Sequence, residues 1–215
     1  MENFLNLLKI LSEGLGTTLL IFLLTLVLGI PAGILVAVAR NSKNRIVKTL
    51  IKIYILIIRG TPMMLQIIFI YFAPYLFKVT YDRFVAIIIA FVVNYAAYFA
   101  EIFRSGILSI PKGQKEAAFT LGFSKTQTFF RILLPQIVKR ILPAMSNEVI
   151  SLIKTTSLAQ IIGITEIFAL AQKQASYQFS ILPLCVAGLM YLVLCTIITY
   201  AFNKAEKKYS YYTIT

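Results

Sequence analysis

Two carboxylates, Glu101 and Glu148, stand inside long apolar runs, and each has polar neighbours at helical spacing. Asn94, Tyr98, Glu101 and Ser105 follow one another at steps of four, three and four, which places them on one helix face. Ala144, Glu148, Ser151 and Thr155 make a second stripe, flanked by Asn147. An unpaired carboxylate in hydrocarbon costs about 2.5 to 3.5 kcal/mol on the mildest insertion scale, so each must face water, protein or a cation. The chemistry open to the two stripes is charge-assisted hydrogen bonding to a polar ligand along a cavity between helices. For Glu101 the residues equally support an ion pair with Arg104 or Arg59 that only ties helices together. Glu148 lies about eleven residues into its run, near mid-depth, and is the sharper ligand candidate.

A third polar group interrupts the second apolar run at Arg59-Gly60-Thr61-Pro62. Pro62 removes a backbone donor and Gly60 permits a break, so nearby amides and carbonyls become available to a ligand. Thr61 and Gln66 would add side-chain hydrogen bonds, while Arg59 reads better as a counter-ion for Glu101 or Glu148. Tyr71, Tyr75 and Tyr81 suit a membrane-interface belt, and the Tyr209, Tyr211 and Tyr212 tail points to no function. There is no histidine, and the two cysteines, Cys185 and Cys195, share one apolar run, which argues against a metal site or a disulfide scaffold.

The elements that must hold these groups are membrane helices. Hydrophobic residues make up 59% of the chain and the mean hydropathy is +0.84. At about 20 residues per crossing, five spans are expected: Leu15–Ala39, Val47–Leu76 with its break, Phe84–Ile110, Ile137–Ile162 and Ile181–Phe202. Fifteen of the 21 Lys and Arg follow the first span, surround the third-to-fourth connection, or follow the fifth. That side is expected to be cytoplasmic, with the N-terminus outside and the C-terminus inside. The net charge of +13 is then a topology signal, and nucleic-acid binding is a poor explanation. Residues 1–10 lack the pattern of a cleaved leader, so the first run is expected to stay as a span. A linker from Glu166 to Ser180 is expected to form a short surface helix.

Between the third and fourth spans lies a polar insert. Pro111-Lys112-Gly113 ends one helix, and a short helix restarting near Gln114 would place Glu116 in its first turn, beside the positive end of the dipole. Ala117 and Ala118 leave little side-chain bulk, Leu121 and Phe123 offer apolar anchors, Gly122 ends the helix, and Ser124 caps the next. A bare interfacial helix under the lipid headgroups is the plainer reading of the triplet alone.

In the spacing Glu116-Ala117-Ala118, Gly122, Ile132, Leu134-Pro135, the insert resembles the membrane-spanning permease subunits of ATP-binding-cassette importers. The resemblance extends over roughly residues 15 to 200. It includes Arg59-Gly60-Thr61-Pro62 with Gln66, Tyr98-Phe99-Ala100-Glu101 with Arg104, Ser109-Ile110-Pro111-Lys112-Gly113-Gln114, and Lys154-Thr155-Thr156-Ser157-Leu158. These blocks are similar to the polar amino acid branch, whose substrates include histidine, arginine, lysine, glutamate, glutamine, cystine and opines. At Thr155 many members carry an acid.

The resemblance implies an all-α, five-span type I importer permease forming a single transmembrane domain over 1–215, with a coupling-helix region at 113–125. It implies a bacterial inner-membrane protein that pairs with a second identical or related permease. Two cytoplasmic ATPase subunits and an extracytoplasmic amino acid-binding protein would complete the system. No phosphate-binding loop occurs in this chain, so ATP and Mg belong to the partners and the chain itself is no enzyme. The expected coupling residues are Glu116, Ala117, Ala118, Leu121, Gly122 and Phe123. Those of the substrate path are Thr61, Gln66, Asn94, Tyr98, Glu101, Asn147, Glu148 and Ser151. Glu148 favours arginine, lysine or histidine as substrate; glutamine or cystine is the alternative. A channel, or a non-transporting scaffold that docks a cytoplasmic partner, is the competing class.

Overall fold

The computed structural model describes residues 2–80 and 82–209; Tyr81, Tyr211 and Tyr212 lie outside the described residues. Those residues form helices α1 (Glu2–Ser12), α2 (Leu15–Arg40), α3 (Arg45–Gly60), α4 (Met63–Phe77), α5 (Arg83–Leu108), α6 (Lys112–Thr120), α7 (Lys125–Ile162), α8 (Ile167–Gln178) and α9 (Leu182–Tyr209), with no strand among them. Helices α2, α5 and α9 are long and apolar enough to cross a membrane singly. Two bent pairs bring the total to as many as five: α3 with α4, bent by 111°, and α7 with α8, bent by 59°. The chain is therefore an all-α, multi-pass membrane protein.

Helix α5 is the central post. Its Ala86, Ile87, Ala90, Phe91, Tyr95 and Phe99 are buried against Ile21 and Phe22 of α2, Ile67 of α4, and Met145, Val149, Leu152 and Ile153 of α7. Small residues set the approach of α2 to α5. A Cβ on Gly33 would lie 2.7 Å from Phe99 Cβ and 3.2 Å from the Ala96 carbonyl oxygen, so only glycine fits. Thr18 and Thr25, both buried in α2, return their hydroxyls to the carbonyls of Gly14 and Ile21 at 3.1 and 2.7 Å. No water is needed to satisfy them.

Two local expectations change. Helix α8 exists, but its N-terminal end is no surface feature: Ile167 and Ala171 pack with Leu7 and Leu11 of α1 and Val186 and Ala187 of α9. Glu166 is fully buried and caps α8, accepting from the amides of Phe168 (2.8 Å) and Ala169 (2.6 Å) and from the Tyr191 hydroxyl (2.7 Å). Three donors, two of them otherwise unpaired helix-end amides, explain how a carboxylate is held there. In the insert, α6 starts at Lys112 rather than Gln114. Glu116 therefore stands in the second turn, beyond the reach of the helix N-terminal charge expected to favour it. Gly122 takes a left-handed φ of +80°, and Ser124 and Gln127 form the capping box that opens α7.

Replacing Gly33 by valine should destabilise the protein by about 1 to 3 kcal/mol through overpacking against Phe99. Thermal unfolding in detergent checks this, with Gly16→Val, where added side-chain atoms meet nothing within 4 Å, as the comparison.

Candidate functional site

Helix α5 contributes Tyr98, Glu101, Arg104 and Ser105 to a cavity of about 390 Å³, closed by Arg59 at the end of α3 and by Arg140, Ala144 and Glu148 of α7. The two predicted stripes thus face one another across a single space at their central residues. Glu101 is the electrostatic hub. Its carboxylate pairs with Arg40 from the end of α2, with Arg104 one turn along its own helix (3.0 and 3.1 Å), and more loosely with Arg59 at 3.7 Å. Arg59 also lies over the Tyr98 ring, 5.3 Å from its centroid, and is near enough to act electrostatically on Glu148. Its side chain is 44% exposed against 17% for Glu101, so it is the loosest member of the cluster.

Counting Arg40, the cluster sets four arginines against two glutamates, and Glu101 is already claimed by three of them. Of the ion pairs considered for Glu101, both Arg104 and Arg59 are present. Arg40 was missed because it reads as one more basic residue at a span end, and no linear spacing links it to Glu101.

The helix break gathers a different subset. The Thr61 hydroxyl donates to the Ile57 carbonyl at 2.8 Å. The Gln66 amide nitrogen donates to the Ile58 carbonyl (2.8 Å) and reaches the Thr61 hydroxyl (2.8 Å) and carbonyl (3.1 Å). Asn94 then donates to the Gln66 amide oxygen at 2.9 Å. Carbonyls left open by Pro62 are thereby satisfied by the chain itself. Thr61, Gln66 and Asn94 brace the break, whereas Tyr98, Glu101 and Glu148 line the cavity. Asn147 is exposed and lies off the cavity wall, and Ser151 stands with Thr155 beside the Tyr95 hydroxyl.

On the insert, Glu116, Ala117 and Leu121 are exposed, Phe123 is half-buried, and Ala118 is buried rather than presented. A Cβ at Gly122 would meet nothing else of this chain within 4 Å, and the left-handed backbone is what calls for glycine within the chain. Among the described residues no group of three or more His, Cys, Asp or Glu is placed to hold a metal ion.

Comparison with known proteins adds a family model, described as binding-protein-dependent transport system inner membrane component, that matches residues 29–211. The L-cystine transport system permease protein TcyB of Bacillus subtilis (strain 168) is 37% identical over 94% of this chain and 88% of its own length. The arginine transport system permease protein ArtQ of the same organism is also 37% identical, over 91% of this chain and 90% of its own. A crystal structure of an amino acid ABC transporter with histidines superposes with a TM-score of 0.86 at 30% identity, covering 95% of this chain and 98% of that one.

The geometry ranks the arginine cluster. Glu101→Gln should cost about 1.5 to 3 kcal/mol, because three guanidinium groups lose their shared counter-charge. Arg59→Gln should cost under about 1 kcal/mol, as its 3.7 Å pair is open to solvent. Thermal unfolding of both variants in one detergent gives the order, and a larger loss for Arg59→Gln would contradict it.

Proposed function

Since the chain belongs to the family of binding-protein-dependent transport system inner membrane components and is the permease subunit of a polar amino acid importer of the ATP-binding-cassette type, we propose that its substrate crosses as a zwitterion held between Glu148 and Arg59. The carboxylate of Glu148 takes the α-ammonium group and the guanidinium of Arg59 takes the α-carboxylate. A neutral polar amino acid, glutamine or cystine, suits this clamp better than the basic amino acid that Glu148 alone suggests. The observation that carries the reading is that Arg59, only loosely paired with Glu101, lines the same cavity as Glu148, where arginines outnumber glutamates. A cationic side chain entering there would meet Arg104 and Arg140, while Glu148 is spent on the ammonium group that all amino acids share. A volume of about 390 Å³ is in the range of small-molecule sites. Equal identity to a cystine and an arginine permease leaves the charge balance of the cavity as the deciding argument.

Around this path the assembly proposed is a second permease, identical or related, two cytoplasmic ATPase subunits that bind ATP and Mg, and an extracytoplasmic binding protein. The whole chain, 1–215, acts as one transmembrane domain in the inner membrane, N-terminus outside. Region 113–125 is the ATPase-coupling surface, presenting Glu116, Ala117 and Leu121 with Ala118 and Phe123 seating the helix. A scaffold that merely docks the ATPase would support no uptake after reconstitution with its partners.

In proteoliposomes containing the full importer, Glu148→Gln should lower uptake of every amino acid carried by roughly ten- to a hundredfold, the worth of a charge-assisted hydrogen bond to a common group. Selective loss of arginine and lysine, with glutamine and cystine retained, would instead make Glu148 a reader of basic side chains.

For coupling, Gly122→Val should abolish substrate-stimulated ATP hydrolysis, because φ of +80° is forbidden to a β-branched residue. Gly122→Asn, which tolerates that conformation, should retain most of it. Equal loss in both variants, measured as ATPase stimulation, would mean that side-chain bulk and not backbone shape is what the position forbids.

A further inference from the structure

Helix α3 was expected to be the first half of a membrane crossing, and its geometry points elsewhere. Helix α4 runs along α5: Gln66 meets Asn94, Ile67 packs in the cluster of Ala86, Ile87, Ala90 and Phe91, and the chain from Phe77 to Arg83 is short. Because α5 crosses the membrane, α4 lies along the crossing direction beside it. The axis of α3 departs from that of α4 by 111°, a little past a right angle, which lays α3 close to the membrane plane.

Its surface agrees. Arg45, Lys48, Lys52 and Arg59 fall within one arc of about 60° at 3.6 residues per turn. Ile46, Leu50, Ile53 and Ile57 form an exposed apolar arc, and Ile51, Tyr54, Ile55 and Ile58 face the bundle at Ala37, Ala97 and Ala100. The two faces also meet α5 at different levels. Tyr54, on the apolar side, donates to the Val93 carbonyl at 2.5 Å, whereas Arg59, on the basic side, reaches Glu101. Eight residues separate these contacts on α5, about 12 Å along its axis. The basic arc therefore looks toward the Leu108 end of α5 and the apolar arc toward the membrane interior. No Asp or Glu occurs between Arg40 and Asp82, so residues 41–81 supply no counter-charge for this arc.

We propose that α3 is an in-plane amphipathic helix seated in the cytoplasmic leaflet, and that Arg45, Lys48 and Lys52 bind anionic phospholipid headgroups along its outer edge. The leaflet rests on the orientation proposed above; the in-plane placement does not. Each basic residue at an anionic surface is worth roughly a fivefold gain in affinity, so three in one arc make the lipid a specific requirement and not a passive solvent.

Three measurements on the full chain, reconstituted with its ATPase and binding protein, test this. Spin labels on single cysteines introduced at positions 46, 50, 53 and 57 of a Cys185→Ser, Cys195→Ser background should report one shallow depth; a depth growing by about 5 Å per turn would make α3 a spanning arm and end the proposal. Replacing phosphatidylcholine by phosphatidylglycerol in the vesicles should raise the unfolding temperature of the wild type, and the Arg45→Gln, Lys48→Gln, Lys52→Gln triple variant should lose that increment. An increment kept in the triple variant, absent in the wild type, or supplied by the ATPase instead of the lipid would overturn lipid binding. In the same cysteine-free background, an impermeant thiol reagent should label Lys43→Cys only after the membrane is opened. Labelling in intact cells would overturn both the orientation and the leaflet, and leave the depth series to judge the in-plane helix by itself.

Discussion

The arrangement of this bundle depends on one carboxylate. Glu101 sits within a membrane span, where an ionised group needs water or cations brought to it. Three arrive: Arg40 from the end of α2, Arg59 from the end of α3 and Arg104 from α5 itself. Each of those arginines stands close to a helix end, so the Glu101 pairs tie the end of α2 and the end of α3 to α5. Arg59 and Arg104 both line the cavity shared with Glu148, and Arg59 is the more loosely held of the two. A residue whose charge is needed in two places, but firmly held in neither, is well suited to yield to a ligand.

A second constraint is the absence of water for backbone groups. The break at Gly60-Thr61-Pro62 opens carbonyls that hydrocarbon cannot satisfy, and the chain closes them with Thr61, Gln66 and, through Gln66, Asn94 of α5. What looks in sequence like a ligand-binding break is in the structure a braced corner. The corner has its own consequence: it turns the axis far enough to take α3 out of the crossing direction and deliver Arg59 to the cavity.

Much of this was legible in the residues, and the remainder failed for physical reasons. Hydropathy located the apolar runs, because burial in lipid is read from composition alone. The periodicity of Tyr98 and Glu101, and of Ala144 and Glu148, identified helix faces that do meet across one cavity. The Ser124 cap was read from turn chemistry and is present with its Gln127 partner. Periodicity fixes a face but not how far along it a neighbour extends, so Asn147 fell outside the cavity and Ser151 beside Tyr95. Glu166 looked like a surface charge because its partners, the amides of α8 and the Tyr191 hydroxyl, come from a turn geometry and from a helix 25 residues away. Arg40 was hidden for the same reason: 61 residues separate it from Glu101.

The insert and the ligand stripe share one helix, and this bears on how a signal would travel between them. Helix α7 runs from the Ser124 cap to Ile162 and carries Arg140 and Glu148 on the cavity side. Glu148 stands 23 residues beyond Lys125, about 35 Å of helix. Near its start the helix widens into a π-helical stretch over Thr128–Leu133, just before Pro135, which removes a donor from the regular ladder. Beyond it, Arg140 donates to the Ser109 carbonyl at the end of α5, and Ile137 and Ile141 pack against Gly106. In the proposed coupling, displacement of α6 enters α7 at a compliant joint, and the part above that joint pivots about its contact with the end of α5. Motion at the cytoplasmic face would then alter the distance between the α5 and α7 walls of the cavity, which is the distance separating Glu148 from the Glu101 cluster.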